Sequence, residues 1–464
     1  MQKRILKVLS GTLAALTMAS MLAGCTSKSS ASPSAASGEK TKIAVWTANR
    51  SDAQYVQSQI ANYNKTNKDN IEIDYSIYSD NYQQSLELAY ATDAAPDVFF
   101  DTGDFFVKYV GKGYFQPLNK YLTSSYKERF GSNGFINGIN GINGKTYSLP
   151  ALCSTPRLVY NADIFKEVGI SAPPKSLTEL VSDSKLISEK LKSQNVYGFA
   201  ANLKTPSQAI SRSIVQMLEL SGYPIKEGYN FKEGKYDFTP YKPILQAYNS
   251  IFMSDAAFPG CESLDIDPLR AQFANGKIAM YISWTHSEPA VYQNQYKTTA
   301  NWNMAPLPTI DGTVKGSQDI MLADKWLYIN GKSKKADKAW KVMEFFYSDN
   351  YLKGYYENGL GIVSVPSVLK VATDPPTVQK IPELKLGTTD QIWPNTPTGV
   401  TPEGTDYYQV FTSLIFSKNP NYDSQLAGLN TRYNNGLNDA IGNNSTKKVQ
   451  YKSFDAAKPS KVLQ

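Results

Sequence analysis

One alternation constrains the fold of this 464-residue chain more than any other feature. Between Lys42 and Phe100, short apolar runs take turns with helical periodicity. Lys42-Ile43-Ala44-Val45-Trp46 reads as a buried strand. Val56, Ile60 and Tyr63, four and three residues apart, mark one face of a helix. Ile71, Ile73, Tyr75 and Ile77 alternate with polar residues, as in a second strand. Tyr82, Leu86 and Ala89 define a second helical face, and Asp97-Val98-Phe99-Phe100 a third strand. Strand, helix, strand, helix, strand predicts a parallel sheet with crossover helices. Ligands of such sheets bind beyond the carboxyl ends of the strands. The loops after Trp46 and after Phe100 are therefore candidate site loops.

A chain of this length exceeds one small core and predicts two lobes. Hydrophobic residues make up 41% and charged residues 19%, a globular balance. Helical patterns recur at Leu177–Leu191, Ala209–Leu220, Pro268–Asn275 and Ala336–Tyr347. The run from Asn137 to Gly144 repeats Asn-Gly, which adopts positive φ cheaply and predicts a hairpin before Lys145. Pro-rich stretches at 305–308 and 375–382 read as extended crossings or loops. The formal charge is +7. Three of those cations lie in the first seven residues, and the rest are scattered among acids, so nucleic acid is not indicated. Cys153 and Cys261 are read as two buried thiols or, in an exported chain, as one disulfide. No spacing fits a zinc site.

The first residues read as a processing segment. Lys3, Arg4 and Lys7 precede the apolar run Val8–Met21, too short for a comfortable membrane span. It ends in Leu22-Ala23-Gly24-Cys25, which resembles the bacterial lipobox. There the signal peptidase cuts before a Cys whose thiol takes a diacylglycerol. The expectation is a signal peptide over 1–24 and a lipidated Cys25. A Ser-, Ala- and Pro-rich tether extends to residue 41, flexible because it buries nothing. Such a chain sits lipid-anchored on the outer face of a cell membrane. A Gram-positive surface is favoured; in a Gram-negative cell the same anchor faces the periplasm.

Four blocks resemble extracellular solute-binding proteins of family 1, the group that includes maltodextrin-binding proteins. The first runs from Lys42 through Ala95-Pro96-Asp97-Val98-Phe99 to Gly113. The second holds Tyr147-Ser148-Leu149-Pro150, Leu158–Phe165, and Pro173-Pro174-Lys175-Ser176-Leu177. The third is Phe273-Ala274-Asn275-Gly276-Lys277-Ile278-Ala279-Met280 through Trp284, followed by Ala305-Pro306-Leu307-Pro308. The fourth is Trp326-Leu327-Tyr328-Ile329, then Ala336–Tyr347 and Gly361–Pro366. The likeness fades after about Val368. It implies an α/β fold of the type II periplasmic-binding-protein kind, two lobes joined by three hinge crossings that close on ligand. The crossings are expected near Pro150–Pro156, Met304–Ile310 and Gly361–Pro366. Lobe one is then 42–152 plus 310–362, and lobe two 153–309 plus 363–464. The implied role is the substrate-binding lipoprotein of an ABC importer. It captures a carbohydrate, expected to be an oligosaccharide, and hands it to membrane permease subunits. It works as a monomer without cofactor or metal.

A sugar site needs aromatic platforms for C–H faces and polar side chains for the hydroxyls. Trp284, at the end of an apolar strand, stands where the family places a stacking Trp, and His286 comes two residues later. Asp101 and Asp104 lie just after the third strand, with helix capping the rival role for Asp104. Asn49 and Arg50 lie just after the first strand. Arg157 lies at the first crossing, where a structural ion pair is the rival. Trp393, Glu403 and Tyr407 lie where lobe two is expected to add late contacts. Each of these residues has a plain structural alternative in core packing or a solvated loop.

Enzymes form the other class. A single His argues against His-based triads. Ser182-x-x-Lys185 and Ser348-Asp349-Asn350 fit two penicillin-binding elements, but the Lys-Thr-Gly element is missing. A surface glycosidase needs only two carboxylates. Within binding proteins, the alternative is a peptide or polyamine ligand.

Overall fold

Two four-stranded sheets organise the chain, and each repeats the expected alternation with helices. The computed structural model describes residues 39–78, 81–101, 106–131, 134–320 and 326–463. The expected leader, Cys25 and most of the tether lie outside the described residues, as does Asp104. Lys40–Gln464 forms one unit and holds every element considered below.

The eight sheet strands are β1 Thr41–Thr47, β2 Ile71–Ile77, β3 Val98–Asp101, β4 Pro156–Asn161, β5 Tyr197–Ala200, β6 Ile278–Trp284, β7 Trp302–Ala305 and β8 Trp326–Ile329. The first sheet has the order β8-β3-β1-β2. Its β1 runs parallel to both β2 and β3, as the sequence alternation requires, and β8 closes the edge antiparallel to β3. The crossover helices span Ala53–Thr66 and Tyr82–Ala91 and bury Val56, Ile60, Leu86 and Ala89. The second sheet has the order β7-β4-β6-β5. β4 is antiparallel to both neighbours and β6 is parallel to β5. This sheet is therefore mixed, which the helical patterns alone did not reveal.

Local chemistry explains the element ends. Helix Leu177–Leu191 starts in a capping box: the Glu179 N–H donates to Ser176 Oγ at 3.1 Å, and the Ser176 N–H donates to the Glu179 carboxylate at 3.0 Å. The Asn-Gly repeat forms its hairpin, Gly141–Ile142 against Lys145–Thr146. Asn143 and Gly144 both hold positive φ, at 52° and 74°, the requirement of a two-residue turn between twisted strands.

Each sheet carries its own apolar core. The β1–β3 core gathers Ile43, Val45, Ile71, Val98, Leu327 and Trp340 and still includes Val363, Val365 and Val368. The β4–β7 core gathers Leu158, Phe199, Met280 and Met304 and resumes at Val378, through Trp393 and Phe411 to Phe454. Cys153 and Cys261 are buried in different cores, so no disulfide joins them.

Three chain segments, 155–157, 318–319 and 383–391, meet at one buried polar node beside β4. Leu152–Cys153 pairs antiparallel with Ile362–Val363, and Gln318–Asp319 pairs parallel with Asp390–Gln391. Arg157 donates to both oxygens of Asp390, at 3.0 and 2.6 Å, and to the carbonyls of Glu383 and Lys385. Thr155 donates to Asp390 at 2.5 Å, and the Gln318 amide donates to Asp390 and Thr155, each at 2.6 Å. Burial disfavours the Asp390 carboxylate, but the Arg157 guanidinium and the other donors outweigh that and hold its pKa below the usual carboxylate range.

Removing one partner of a buried ion pair strands the other, at a cost of about 3–5 kcal/mol. Asp390→Asn is therefore expected to lower unfolding stability by about that amount in urea titration. Because the folded-state pKa is lowered, the pair's contribution is complete above the unfolded value of about 3.9. It is lost as pH falls through the folded value, so wild type and variant converge in acid.

Candidate functional site

A cavity of about 570 Å³ opens beyond the ends of β1 and β6, with walls from both lobes. Lobe one supplies Ala48, Asn49, Arg50 and Ser51, the turn that leaves β1. Lobe two supplies the end of β6 and the turn after it, with Ser283, Trp284, His286 and Ser287, and three further stretches. These are Ser207–Gln216 on a helix, Lys226–Glu227, and Ile266–Arg270. Val291, Gln295, Asp319 and Tyr408 complete the lining.

Two wall segments wind as π-helical turns, Ser211–Val215 and Val291–Gln295, each set within or beside α-helix. A π turn widens the helix locally and re-aims its side chains, a device common at functional sites. Here Ser211, Arg212 and Val215 from the first, and Val291 and Gln295 from the second, reach the cavity.

The charged lining is mostly paired. Arg50 from lobe one meets Asp267 from lobe two at 3.2 Å, an ion pair between the two walls. Asp267 also accepts from Arg270 at 3.2 Å. Arg270 grips both oxygens of the fully buried Glu288 and donates to Ser287 Oγ at 2.8 Å. Burial works against the Arg270 charge, but the Glu288 carboxylate raises its pKa above the ordinary value. At the other side Lys226 pairs with Asp319 at 2.5 Å. Burial opposes the Lys226 charge, yet Asp319, Glu227 and Glu219 outweigh it and raise its pKa. Glu219 lies wholly buried behind them, and burial followed by the Asp319 charge pushes its carboxyl well up.

Four of the residues singled out in sequence line this cavity: Asn49, Arg50, Trp284 and His286. Trp284 is half-buried at the last position of β6, and the His286 Nδ1 lies 2.9 Å from Ser154 Oγ. Asp101 closes β3 opposite Trp326. Four others stand elsewhere. Arg157 is turned into the polar node with Asp390, the structural ion pair that rivalled its ligand role. Trp393 is 1% exposed, packed on Phe231 and Phe454, with its indole N–H donated to the Ser317 carbonyl. Glu403 is on the exposed surface, where its carbonyl accepts from Arg432. Tyr407 packs among Phe238, Phe411 and Tyr433, and its neighbour Tyr408 faces the cavity instead. One residue along a helix turns a side chain by about 100°, enough to exchange core for cleft.

The residues missed by sequence include Arg212, Arg270, Lys226, Glu227, Asp267 and Tyr408. A signal existed for one of them: Arg212 is a cation in the middle of the helical pattern Ala209–Leu220. Among the described residues, no group of three or more His, Cys, Asp or Glu is arranged to hold a metal ion.

Comparison with known proteins fits this geometry. The family described as bacterial extracellular solute-binding protein matches residues 47–352, well over half of the chain. The chain belongs to that family. A Brucella abortus relative, named as a binding protein, is 26% identical over 257 residues, covering 54% of this chain and 58% of its own. The chain thus spans a little over half the length of the curated relatives it matches. Among solved structures, one from work on xylan utilization by Caldanaerobius polysaccharolyticus aligns with TM-score 0.68 and 19% identity, over 85% of this chain and 100% of that one. RafE of Streptococcus pneumoniae, in complex with raffinose, aligns with TM-score 0.66 and 14% identity, over 86% and 100%. A Bacillus licheniformis sugar transporter protein in complex with stachyose aligns with TM-score 0.64 and 17% identity, over 85% and 100%. At these identities the likeness establishes the fold, two α/β lobes of the type II periplasmic-binding-protein kind.

The two tryptophans separate core from cleft experimentally. Trp393→Ala is expected to cost about 3–5 kcal/mol of stability, the usual range for a fully buried aromatic. Trp284→Ala leaves a half-exposed position and stays much closer to wild type in the same denaturant titration.

Proposed function

We propose that this protein captures a carbohydrate, in the first instance an oligosaccharide, and delivers it to the permease subunits of an ABC importer. The carrying observation is the cavity itself. It has walls from both lobes, an aromatic platform in Trp284 with Tyr408 nearby, and a rim of amides, hydroxyls and paired charges. Its volume of about 570 Å³ suits a small oligosaccharide. Asn49, Arg50, Trp284 and His286 are proposed ligand contacts, with Asp101, the last residue of β3, and Asp104, three positions later in sequence, as further proposed contacts. The raffinose bound to RafE and the stachyose bound to the B. licheniformis protein support the ligand class.

The two lobes, the first extending past residue 362 to take in Val363, Val365 and Val368, move as rigid halves about the crossings and close on ligand. Signal peptide 1–24 is removed, Cys25 is lipidated, and the tether holds the binding unit at the outer face of the cell membrane. The protein works as a monomer, with no cofactor, no nucleic acid and no catalysis of its own. Among the described residues no helix is long and apolar enough to cross a membrane. On a lipidated Cys25, two or more acyl chains give stable attachment where one is marginal.

A thermal-shift screen against mono- and oligosaccharides, peptides and polyamines tests the ligand class, since ligand bound to the native state raises stability. Stabilisation by saccharides is expected; stabilisation by peptides or polyamines alone would sink the sugar reading. With a saccharide in hand, Trp284→Ala is expected to weaken binding by about 2 kcal/mol, roughly thirtyfold in Kd, by calorimetry. Metabolic labelling with a clickable fatty acid is expected to mark wild type and not Cys25→Ser; equal labelling of both rejects the anchor.

A further inference from the structure

Among the described residues, four cations line the cleft: Arg50, Lys226, Arg270 and Arg212. Arg50 has Asp267, Lys226 has Asp319, and Arg270 has Asp267 and Glu288. Arg212 has no carboxylate within 4 Å among the described residues. It is also deeply placed, only 5% exposed. Its Nε donates to the Ile282 carbonyl at 3.0 Å, and its Nη2 donates to the Asn202 side-chain oxygen. These two bonds fix the guanidinium plane. The third nitrogen, Nη1, makes no hydrogen bond to the described residues, and Arg212 lines the cleft.

A buried charge is costly unless paired. Glu288, the nearby carboxylate that favours the Arg212 charge, is already held on both oxygens by Arg270. Burial first, and the like charge of Arg270 second, push the Arg212 pKa down to about 10. At neutral pH the guanidinium still carries its charge, in a water-poor wall, with an open N–H edge. Glu227, the remaining lining carboxylate, is engaged by Tyr408 and Thr396.

We infer that Arg212 is a specificity residue whose Nη1 receives an anionic group of the ligand, so that the cleft takes an acidic carbohydrate, one bearing a carboxylate. This rests on the carbohydrate reading above and narrows it. A carboxylate fits better than a phosphate or sulfate ester. A single open guanidinium nitrogen matches one charge, and Asp267, Asp319 and Glu227 on the same walls repel a denser anion. The bond formed is charge-assisted on both sides, the stronger class of hydrogen bond. It also supplies a counter-charge to a guanidinium that has no carboxylate partner among the described residues, so an acidic sugar gains where a neutral isostere does not.

Calorimetry on the full chain in detergent tests this with matched ligands. The probes are raffinose, stachyose and xylotriose as neutral sugars, trigalacturonate and glucuronate-substituted xylotriose as uronates, and a sulfated and a phosphorylated oligosaccharide. The expected result is a uronate Kd at least tenfold below that of any neutral sugar, rising with added NaCl. In Arg212→Gln the preference falls to within about twofold, and Arg212→Lys keeps part of it. Wild-type ligand ratios and salt dependence need no variant, so poor folding of Arg212→Gln does not blunt the test. Equal binding of neutral and uronate sugars overturns this inference and leaves the carbohydrate reading intact. Preference for the sulfated or phosphorylated probe overturns the choice of carboxylate. Binding of no saccharide overturns both readings together.

Discussion

The Arg157–Asp390 ion pair holds together the places where the chain passes between its two sheets. Around it, Thr155 belongs to the approach to β4, Gln318 to the segment leading toward β8, and Asp390 to the return after Ile362–Val363. Segments more than 200 residues apart in sequence share one buried carboxylate. Such a pair adds little net stability against an apolar replacement, because desolvation offsets the attraction. Its contribution is geometry. Both oxygens of Asp390 are satisfied in one arrangement, which fixes the strand pairs on either side of it.

That geometry bears directly on the cleft. β4 lies beside β6, and the pairing of Trp284 with Pro156 sets where β6 ends. The positions of Trp284 and His286 depend on that endpoint, while Asp319, one residue past Gln318, reaches the opposite wall and pairs with Lys226. The polar node and the cavity are therefore two ends of the same short segments. Lining residues from both lobes, with the Arg50–Asp267 pair between them, make a site that changes shape whenever the lobes move.

Within the cleft, the state of a charge depends on its neighbours more than on its depth. Arg270 and Arg212 lie near one another, Arg212 buried and Arg270 largely so, yet desolvation has opposite outcomes. Glu288 rescues the first, and its pKa rises; the second has two neutral oxygen acceptors among the described residues, and its pKa falls. The difference is one bidentate carboxylate. A likeness of fold at 14–19% identity to the neighbours described carries the frame in which such side chains sit and leaves their pairing to each chain.

Much of the first sheet was legible in the sequence. Apolar periodicity located β1, β2, β3 and their crossover helices, because burial on one face imposes a period of 2 or 3.6 whatever the partner is. Asn143-Gly144 announced its turn, since positive φ at both positions favours those residues. The strand ends then marked Asn49, Arg50, Trp284 and His286 as cavity residues. The points that sequence left open depended on contacts between distant segments. Arg157 was a candidate for ligand contact with an ion pair as the rival, and the arrival of Asp390 supplied the ion pair. Tyr407 and Tyr408 differ by one step around a helix, and the packing of Phe238 and Tyr433 chose which one faces inward. Trp393 carries the same indole as Trp284 but met Phe231 and Phe454 instead of the cleft. Local pattern determines which residues must be buried or bent; the tertiary structure decides what each one meets, because the partner comes from elsewhere in the chain.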